Sequence, residues 1–155
     1  MPAKKRSAQA PPPSSHSRPA RPPERRQPET LRLRSIAPTI TATDLARSIA
    51  FYRDVLGFVV GEEMHNDGVL TGAELRAGAI TFWLNQDDFA RGRDREKGVG
   101  LRVWCATAQD IDRLAAEIQA RGGMLEQEPH TTPWGERAFL ISDPDGFKLA
   151  FVQQR

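Results

Sequence analysis

The 155-residue chain contains one cysteine, Cys105, and this scarcity excludes an internal disulfide. The chain also lacks any apolar run long enough to span a membrane or to serve as a signal peptide. These two absences predict a cytoplasmic protein, since thiols stay reduced in that compartment. Because Cys105 lies in the apolar stretch VGLRVWC, we expect a buried and inert thiol rather than a nucleophile.

The first 30 residues have almost no large apolar side chain, and they hold eight of the twelve prolines. A segment of this composition cannot bury enough surface to offset the entropy lost on ordering, so residues 1–34 are predicted to form a disordered tail. The same 34 residues carry a net charge of +7, whereas residues 35–155 carry −5. The part expected to fold is therefore acidic, and nucleic acid is an unexpected partner for it.

From Ile36 onward the chain shows the same order of predicted elements twice. In each half a short strand precedes an amphipathic helix, and three further strands follow. Asp44 and Asp110 stand at matching helix starts, and Gly57 and Gly123 at matching helix ends. The repeat predicts an α+β fold of two tandem β-α-β-β-β modules, in which a helix covers one face of a curved mixed sheet and the other face borders a cleft.

Two stretches, TDLARSIAFYRDVLGF and PWGERAFLISDPDGFKLAF, resemble the vicinal oxygen chelate superfamily, which contains glyoxalase I, extradiol dioxygenases and bleomycin resistance proteins. The resemblance covers residues 36–153 and implies a single domain over residues 35–155. Within that domain it implies module one in residues 36–90, a connector in residues 87–98 and module two in residues 98–153. It also implies a homodimer, which is a common assembly in this superfamily.

Enzymes of this superfamily hold a metal ion in the cleft with side chains from four strands. The resemblance places those four positions at residues that cannot ligate a metal, namely Ala37, Phe82, Gly100 and Ala150. It therefore implies a protein with neither metal nor cofactor. The nearest branch is that of the bleomycin resistance proteins, whose members bind and sequester a ligand.

Alternation along the strands predicts which side chains face the cleft. The predicted ligand-binding residues are Thr39, Thr41, Phe82, Leu84, Arg102, Trp104, Trp134, Lys148 and Ala150. Aromatic side chains combined with two cations are typical of a site for a small aromatic or apolar molecule that bears an anionic or carbonyl group. Two alternatives stay open: the aromatic residues fill a core, or Arg102 forms a structural ion pair.

Other functions also stay open. His65 and His130, with nearby carboxylates, are candidates to recruit a metal for a lyase, isomerase or dioxygenase, although histidines in loops are more often plain surface residues. A third possibility is a dimerising platform from which the tail contacts partners. The connector DDFARGRDREKG carries four cations and four carboxylates, and we interpret it as a solvated linker or, alternatively, as a basic lid over the cleft.

Overall fold

A computed structural model of the protein describes residues 35–154. The first module comprises β1 Thr39–Ala42, α1 Leu45–Ala50, β2 Val59–Asn66, β3 Val69–Ala77 and β4 Ile80–Gln86. The second module comprises β5 Arg102–Thr107, α2 Ile111–Ala120, β6 Leu125–Thr131, β7 Arg137–Ser142 and β8 Lys148–Gln153. The tail predicted for residues 1–34 lies outside the described residues.

Each module forms its own four-stranded mixed sheet, in the orders β1-β4-β3-β2 and β5-β8-β7-β6. The first strand of each module runs parallel to the last, and the other neighbours are antiparallel. The predicted pair of β-α-β-β-β modules is thus confirmed. Strands β1 and β5 are edge strands, and no ladder joins the two sheets within the described part of the chain.

Both helices begin where the sequence predicts. Asp44 and Asp110 cap α1 and α2, since each carboxylate accepts a hydrogen bond from the backbone amide three residues later, at 3.0 and 2.8 Å. After α1 the backbone widens into a π-helical segment, Phe51–Val55, before Gly57 ends it with a φ of +84°. Among residues 35–154, no helix has the length and apolar character needed to cross a membrane.

The helix-facing sides of the two sheets share one apolar core. Tyr52 is almost fully buried and contacts Phe58 and Phe82 edge-to-face, with ring centroids 5.6 and 4.9 Å apart. In module two the rings of Phe139 and Phe151 stack at 4.9 Å. Because both helix-facing sides contribute to this core, the opposite side of each sheet, here called its outer face, turns away from the other module.

Two residues predicted to face the cleft, Phe82 and Leu84, belong to this core, so that part of the prediction is wrong. The β1–β4 ladder pairs Leu84 with Ile40, which faces the helix. The side chains of Ile40, Phe82 and Leu84 are all buried. The physical reason is that the large aliphatic and phenyl groups of β4 pack beneath the helix. The alternate residues of the strand, which include Thr81 and Asn85, are left on the outer face.

A polar cluster joins module two to module one through the DPDG turn. The carboxylate of Asp145 accepts hydrogen bonds from the backbone amide of Thr43 at 3.0 Å and from Ser48 Oγ at 3.3 Å. The Asp143 carboxylate accepts a bond from the Tyr52 hydroxyl at 3.0 Å. The turn therefore does more than reverse the chain between β7 and β8, because its two carboxylates bind the neighbouring module.

The connector contributes the cations of this cluster. Lys97 Nζ lies 2.7 Å from Asp87 Oδ2 and 3.4 Å from Asp145 Oδ1, and it donates a hydrogen bond to Thr43 Oγ1 at 2.8 Å. Arg95 reaches the same Asp87 oxygen at 2.7 Å. The predicted solvated linker is therefore wrong for Arg95 and Lys97. Their charges turn inward because the carboxylates of Asp87 and Asp145 are buried and need counter-ions.

Candidate ligand-binding site

The outer face of module two brings together four of the predicted ligand-binding residues. Strands β5 and β8 pair in parallel, and their register sets Arg102 beside Lys148 and Trp104 beside Ala150. Because residues two apart in a strand share a face, all four side chains lie on one surface. Their common face is the predicted one, while ligand binding by these residues stays a prediction.

Two indole rings stand on this face. The ring centroids of Trp104 and Trp134 are 6.2 Å apart, with the ring planes tilted by 35°. Their side chains are largely open to solvent, since Trp104 is 47% and Trp134 is 63% exposed. Trp134 lies in the turn before β7, where its Nε1 donates a hydrogen bond to Glu136 at 2.7 Å. This bond orients the Trp134 ring and leaves a broad aromatic surface uncovered.

Buried apolar side chains line the sheet next to the two tryptophans. Ala138 on β7 pairs with Val152 on β8, and Ala150 lies two residues before Val152 on the same face. All three residues are buried. Leu140 on β7 pairs with Ala150 and shares this face, so the sheet beside the indole rings is already covered, and the rings and Arg102 are the groups left exposed.

Charged groups border the same surface. Lys148 Nζ lies 2.9 Å from Glu126 Oε2, and Ser142 donates a hydrogen bond to the same carboxylate. The Ser142 hydroxyl and the Lys148 ammonium lower the pKa of Glu126, and the Arg102 guanidinium adds to this effect. Among residues 35–154, no carboxylate lies within 4.0 Å of the Arg102 guanidinium. Its charge therefore has no direct ion-pair partner in that range.

The outer face of module one carries different groups. In the β1–β4 ladder Thr39 lies beside Trp83 and Thr41 beside Asn85, so both threonines occupy the predicted face. The Asn85 Oδ1 atom is buried and has no hydrogen-bond partner among the described residues.

Sequence reasoning missed Trp83, Glu74 and Arg76 as residues of this outer face. Glu74 pairs with Trp83 across the β3–β4 ladder and forms an ion pair with Arg76. The available signal was the segment AELRA, in which charged and apolar residues alternate along β3. When β3 is paired with β4, Trp83 falls on the same face as the charged residues, and Phe82 and Leu84 fall on the core face.

The described residues do not offer the donors that a divalent metal ion needs. Between residues 35 and 154, no three His, Cys, Asp or Glu side chains converge closely enough to hold one. His65 on β2 has the Glu63 carboxylate 3.9 Å away, and His130 on β6 of the other module contacts the Glu128 carbonyl through Nδ1 at 3.0 Å. These residues do not fit the metal of the superfamily's enzymes. The absence of a bound metal in the protein stays a prediction.

Cys105 lies on the helix-facing side of β5 and is partly buried against the core. Burial raises the pKa of its thiol to about 11. The thiol is therefore protonated near neutral pH, and a protonated thiol is a weak nucleophile. This agrees with the inert thiol expected from the sequence.

Fold and sequence together define the class of this protein. Its two four-stranded mixed sheets match a solved structure of a superfamily member from Sphaerobacter thermophilus, with a TM-score of 0.62, 25% identity and coverage of 77% of this chain and 98% of that one. The chain belongs to the Glyoxalase/Bleomycin resistance protein/Dioxygenase superfamily, whose family model matches residues 32–151.

Individual relatives support the same assignment. Over 132 residues the chain is 33% identical to the bleomycin resistance protein of Geobacillus stearothermophilus, an alignment that covers 76% of this chain and 94% of that protein. Over 121 residues it is 31% identical to YaeR of Escherichia coli, covering 74% and 92% respectively. The resemblance inferred from the two sequence motifs is thereby confirmed.

Proposed function

We propose that this protein is a metal-free, small-molecule-binding member of the superfamily, of the bleomycin resistance type. The proposed ligand is a planar aromatic compound that bears an anionic or carbonyl group. The observation that carries the proposal is the exposed pair of indole rings beside the guanidinium of Arg102. The identity to bleomycin resistance proteins supports binding without a chemical step.

The aromatic part of the ligand is inferred from the two tryptophans. Stacked or edge-to-face aromatic pairs gain about 0.5–1.5 kcal/mol beyond the area that they bury. Trp104 and Trp134 present tilted faces to the same space, with ring centroids 6.2 Å apart. A planar ring stacks on the exposed face of one of the two indoles.

The anionic or carbonyl group is inferred from Arg102. A guanidinium offers a planar fork of donors that matches carboxylate and carbonyl oxygens. Lys148 lies on the same face but is held by Glu126 at 2.9 Å. Arg102 is therefore the cation better placed to receive an oxygen of the ligand.

The proposed assembly is a homodimer. Strands β1 and β5 are sheet edges, and several large apolar side chains are exposed near the sheet margins, namely Val59, Val69, Ile80, Val99 and Leu101. Exposed edges and apolar groups of this kind are commonly covered by a partner. In the dimer, the outer face of module one from the second copy, with Thr39 and Thr41, closes the cleft over the tryptophans of the first.

Titration with 2-naphthoate tests the binding site, because this probe combines a planar ring with a carboxylate. Arg102→Ala is expected to weaken 2-naphthoate binding about ten- to a hundredfold, because a hydrogen bond to a charged group contributes about 1.5–3 kcal/mol. Trp104→Phe is expected to cost less, about 0.5–1.5 kcal/mol.

Arg113→Ala is the matched control, because Arg113 is an exposed residue on α2, away from the outer face. It is expected to leave binding unchanged. A folded Arg102→Ala variant that binds 2-naphthoate as tightly as the parent would show that the site is assigned to the wrong residues.

Two further measurements test the metal and the assembly. Elemental analysis is expected to find no stoichiometric Zn, Ni, Fe or Mn, and about one bound equivalent would favour a metal-dependent lyase, isomerase or dioxygenase instead. Sedimentation at micromolar concentration is expected to give a dimer. A monomer with full ligand affinity would contradict the shared cleft.

A further inference from the structure

A cavity of about 700 Å³ lies between the modules on the helix-facing side of the sheets. Its walls include Tyr52, Phe58 and Phe82 from module one and Leu114 and Phe151 from module two. Known small-molecule sites have volumes of about 300–1,000 Å³, so this cavity is large enough for one. Trp104 of the outer face of module two also borders this cavity, but Arg102, Trp134 and Lys148 do not, so occupation of the cavity does not depend on the function proposed for that face.

The cavity walls are the part of the core that stays slightly open. Phe58 and Phe151 are each 9% exposed, whereas Leu75 and Ile141, deeper in the same core, are fully buried. Atoms that border unfilled space lose dispersion contacts. An apolar group that enters the cavity restores those contacts without displacing packed side chains, which favours an alkyl chain as occupant.

The mouth of the cavity carries a cation, Arg121, just after the end of α2. Its Nε donates a hydrogen bond to the Glu117 carbonyl at 3.1 Å, and its Nη1 lies beside Gly57 of module one. In the stretch from residue 35 to residue 154, no carboxylate lies within 4.0 Å of the Arg121 guanidinium. The Glu117 carboxylate, also at the mouth, is paired with Arg113 at 2.9 Å.

We propose that this cavity binds a medium-chain alkyl carboxylate, with the chain between the modules and the carboxylate on Arg121. A positive group at the open end of an apolar space complements this combination of tail and charge. The chain's one cysteine, Cys105, lines the cavity and supplies a reporter. A bound alkyl chain shields Cys105 Sγ from alkylating reagents.

The test measures the rate at which N-ethylmaleimide alkylates Cys105 in the full-length protein as decanoate is added. Decanoate is expected to slow alkylation at least about tenfold at saturation, and decan-1-ol, which lacks the charge, to protect only at higher concentration. Arg121→Gln is expected to raise the half-protecting decanoate concentration about ten- to a hundredfold. The same change is expected to leave protection by decan-1-ol unaltered.

Two control variants and a truncation test whether the protection depends on Arg121. Arg47→Gln, which changes an exposed arginine on α1 that does not border the cavity, is expected to behave as the parent. Arg121→Lys is expected to retain part of the decanoate effect because it keeps the charge. Equal half-protection in the parent and in Arg121→Gln, or no protection at all, would overturn the proposal. Faster alkylation after removal of residues 1–34, with no effect of decanoate, would show that the chain's own segment fills the cavity and would also overturn it.

Discussion

Modules one and two share a fold but differ on their outer faces. Their helix-facing sides carry apolar residues in matching places and build one core together. The outer face of module one presents the Glu74–Arg76 ion pair and the amide of Asn85, whereas that of module two presents two indole rings and Arg102. Core positions are constrained by close packing and outer faces are not. This difference is the reason for placing the proposed ligand on module two.

The largest expected effect comes from breaking the link between the modules. Lys97→Met leaves the buried Asp145 carboxylate without its cation and Asp87 with Arg95 alone. Removing one partner of a buried ion pair typically costs about 3–5 kcal/mol, so the free energy of unfolding measured in urea is expected to fall by that order. A loss below about 1 kcal/mol, the value expected for an exposed pair, would show that this cluster does not hold the modules together.

The next effect separates the core face from the outer face. Leu84→Ala opens a cavity in the core and is expected to lower the free energy of unfolding by about 2–5 kcal/mol. Trp104→Ala, on the half-exposed outer face, is expected to change it by only about 0.5 kcal/mol while weakening 2-naphthoate binding. Urea unfolding and titration of both variants measure the contrast. A stable Leu84→Ala protein that no longer binds would mean that β4 faces the cleft after all.

A smaller effect is expected from the single hydrogen bond between Tyr52 and Asp143. Burial raises the pKa of the Asp143 carboxyl, and the Tyr52 hydroxyl is among the groups that lower it again. Tyr52→Phe leaves a buried oxygen unpaired, which typically costs about 1–3 kcal/mol. A double-mutant cycle with Asp143→Asn measures the coupling by urea unfolding. Additive effects of the two substitutions would mean that the bond contributes no stability.

The smallest effect concerns the pH dependence of stability. The Lys97 ammonium, the Phe89 amide and the Arg95 guanidinium hold the pKa of Asp87 well below its ordinary value of 3.8. Such a carboxyl stabilises the folded state above that ordinary value, and the stabilisation is lost as the pH falls toward the folded-state pKa. Asp87→Asn is therefore expected to flatten the decline of the melting temperature below about pH 4. Parallel melting profiles for parent and variant would contradict this.

The sequence predicted the features that depend on local pattern. Helix caps at Asp44 and Asp110, and the common face of Arg102 and Trp104, follow from spacing within single elements. The face of β4 did not follow, because ITFWL has large side chains on both of its alternating sets. Only the ladder register with β1 and β3 decides which set is buried, and register depends on residues distant in the chain.

The link between the modules was also beyond sequence reasoning. Lys97 and Asp145 are 48 residues apart, and Tyr52 and Asp143 are 91 apart. In the sequence Lys97 stands in a run of mixed charges that is typical of a solvated loop. Burial of its ammonium results from the way the connector passes between Asp87 and the DPDG turn, which no local pattern encodes.

The three tryptophans allow a direct test of whether the proposed ligand binds the outer face of module two. Trp83 lies on the outer face of module one, and Trp104 and Trp134 lie on that of module two. The measurement follows their assigned indole N–H resonances by NMR while 2-naphthoate is added. The Trp104 and Trp134 signals are expected to shift together along one binding curve and to shift more than the Trp83 signal. The largest shift at Trp83, or saturable binding that leaves Trp104 and Trp134 unmoved, would contradict it.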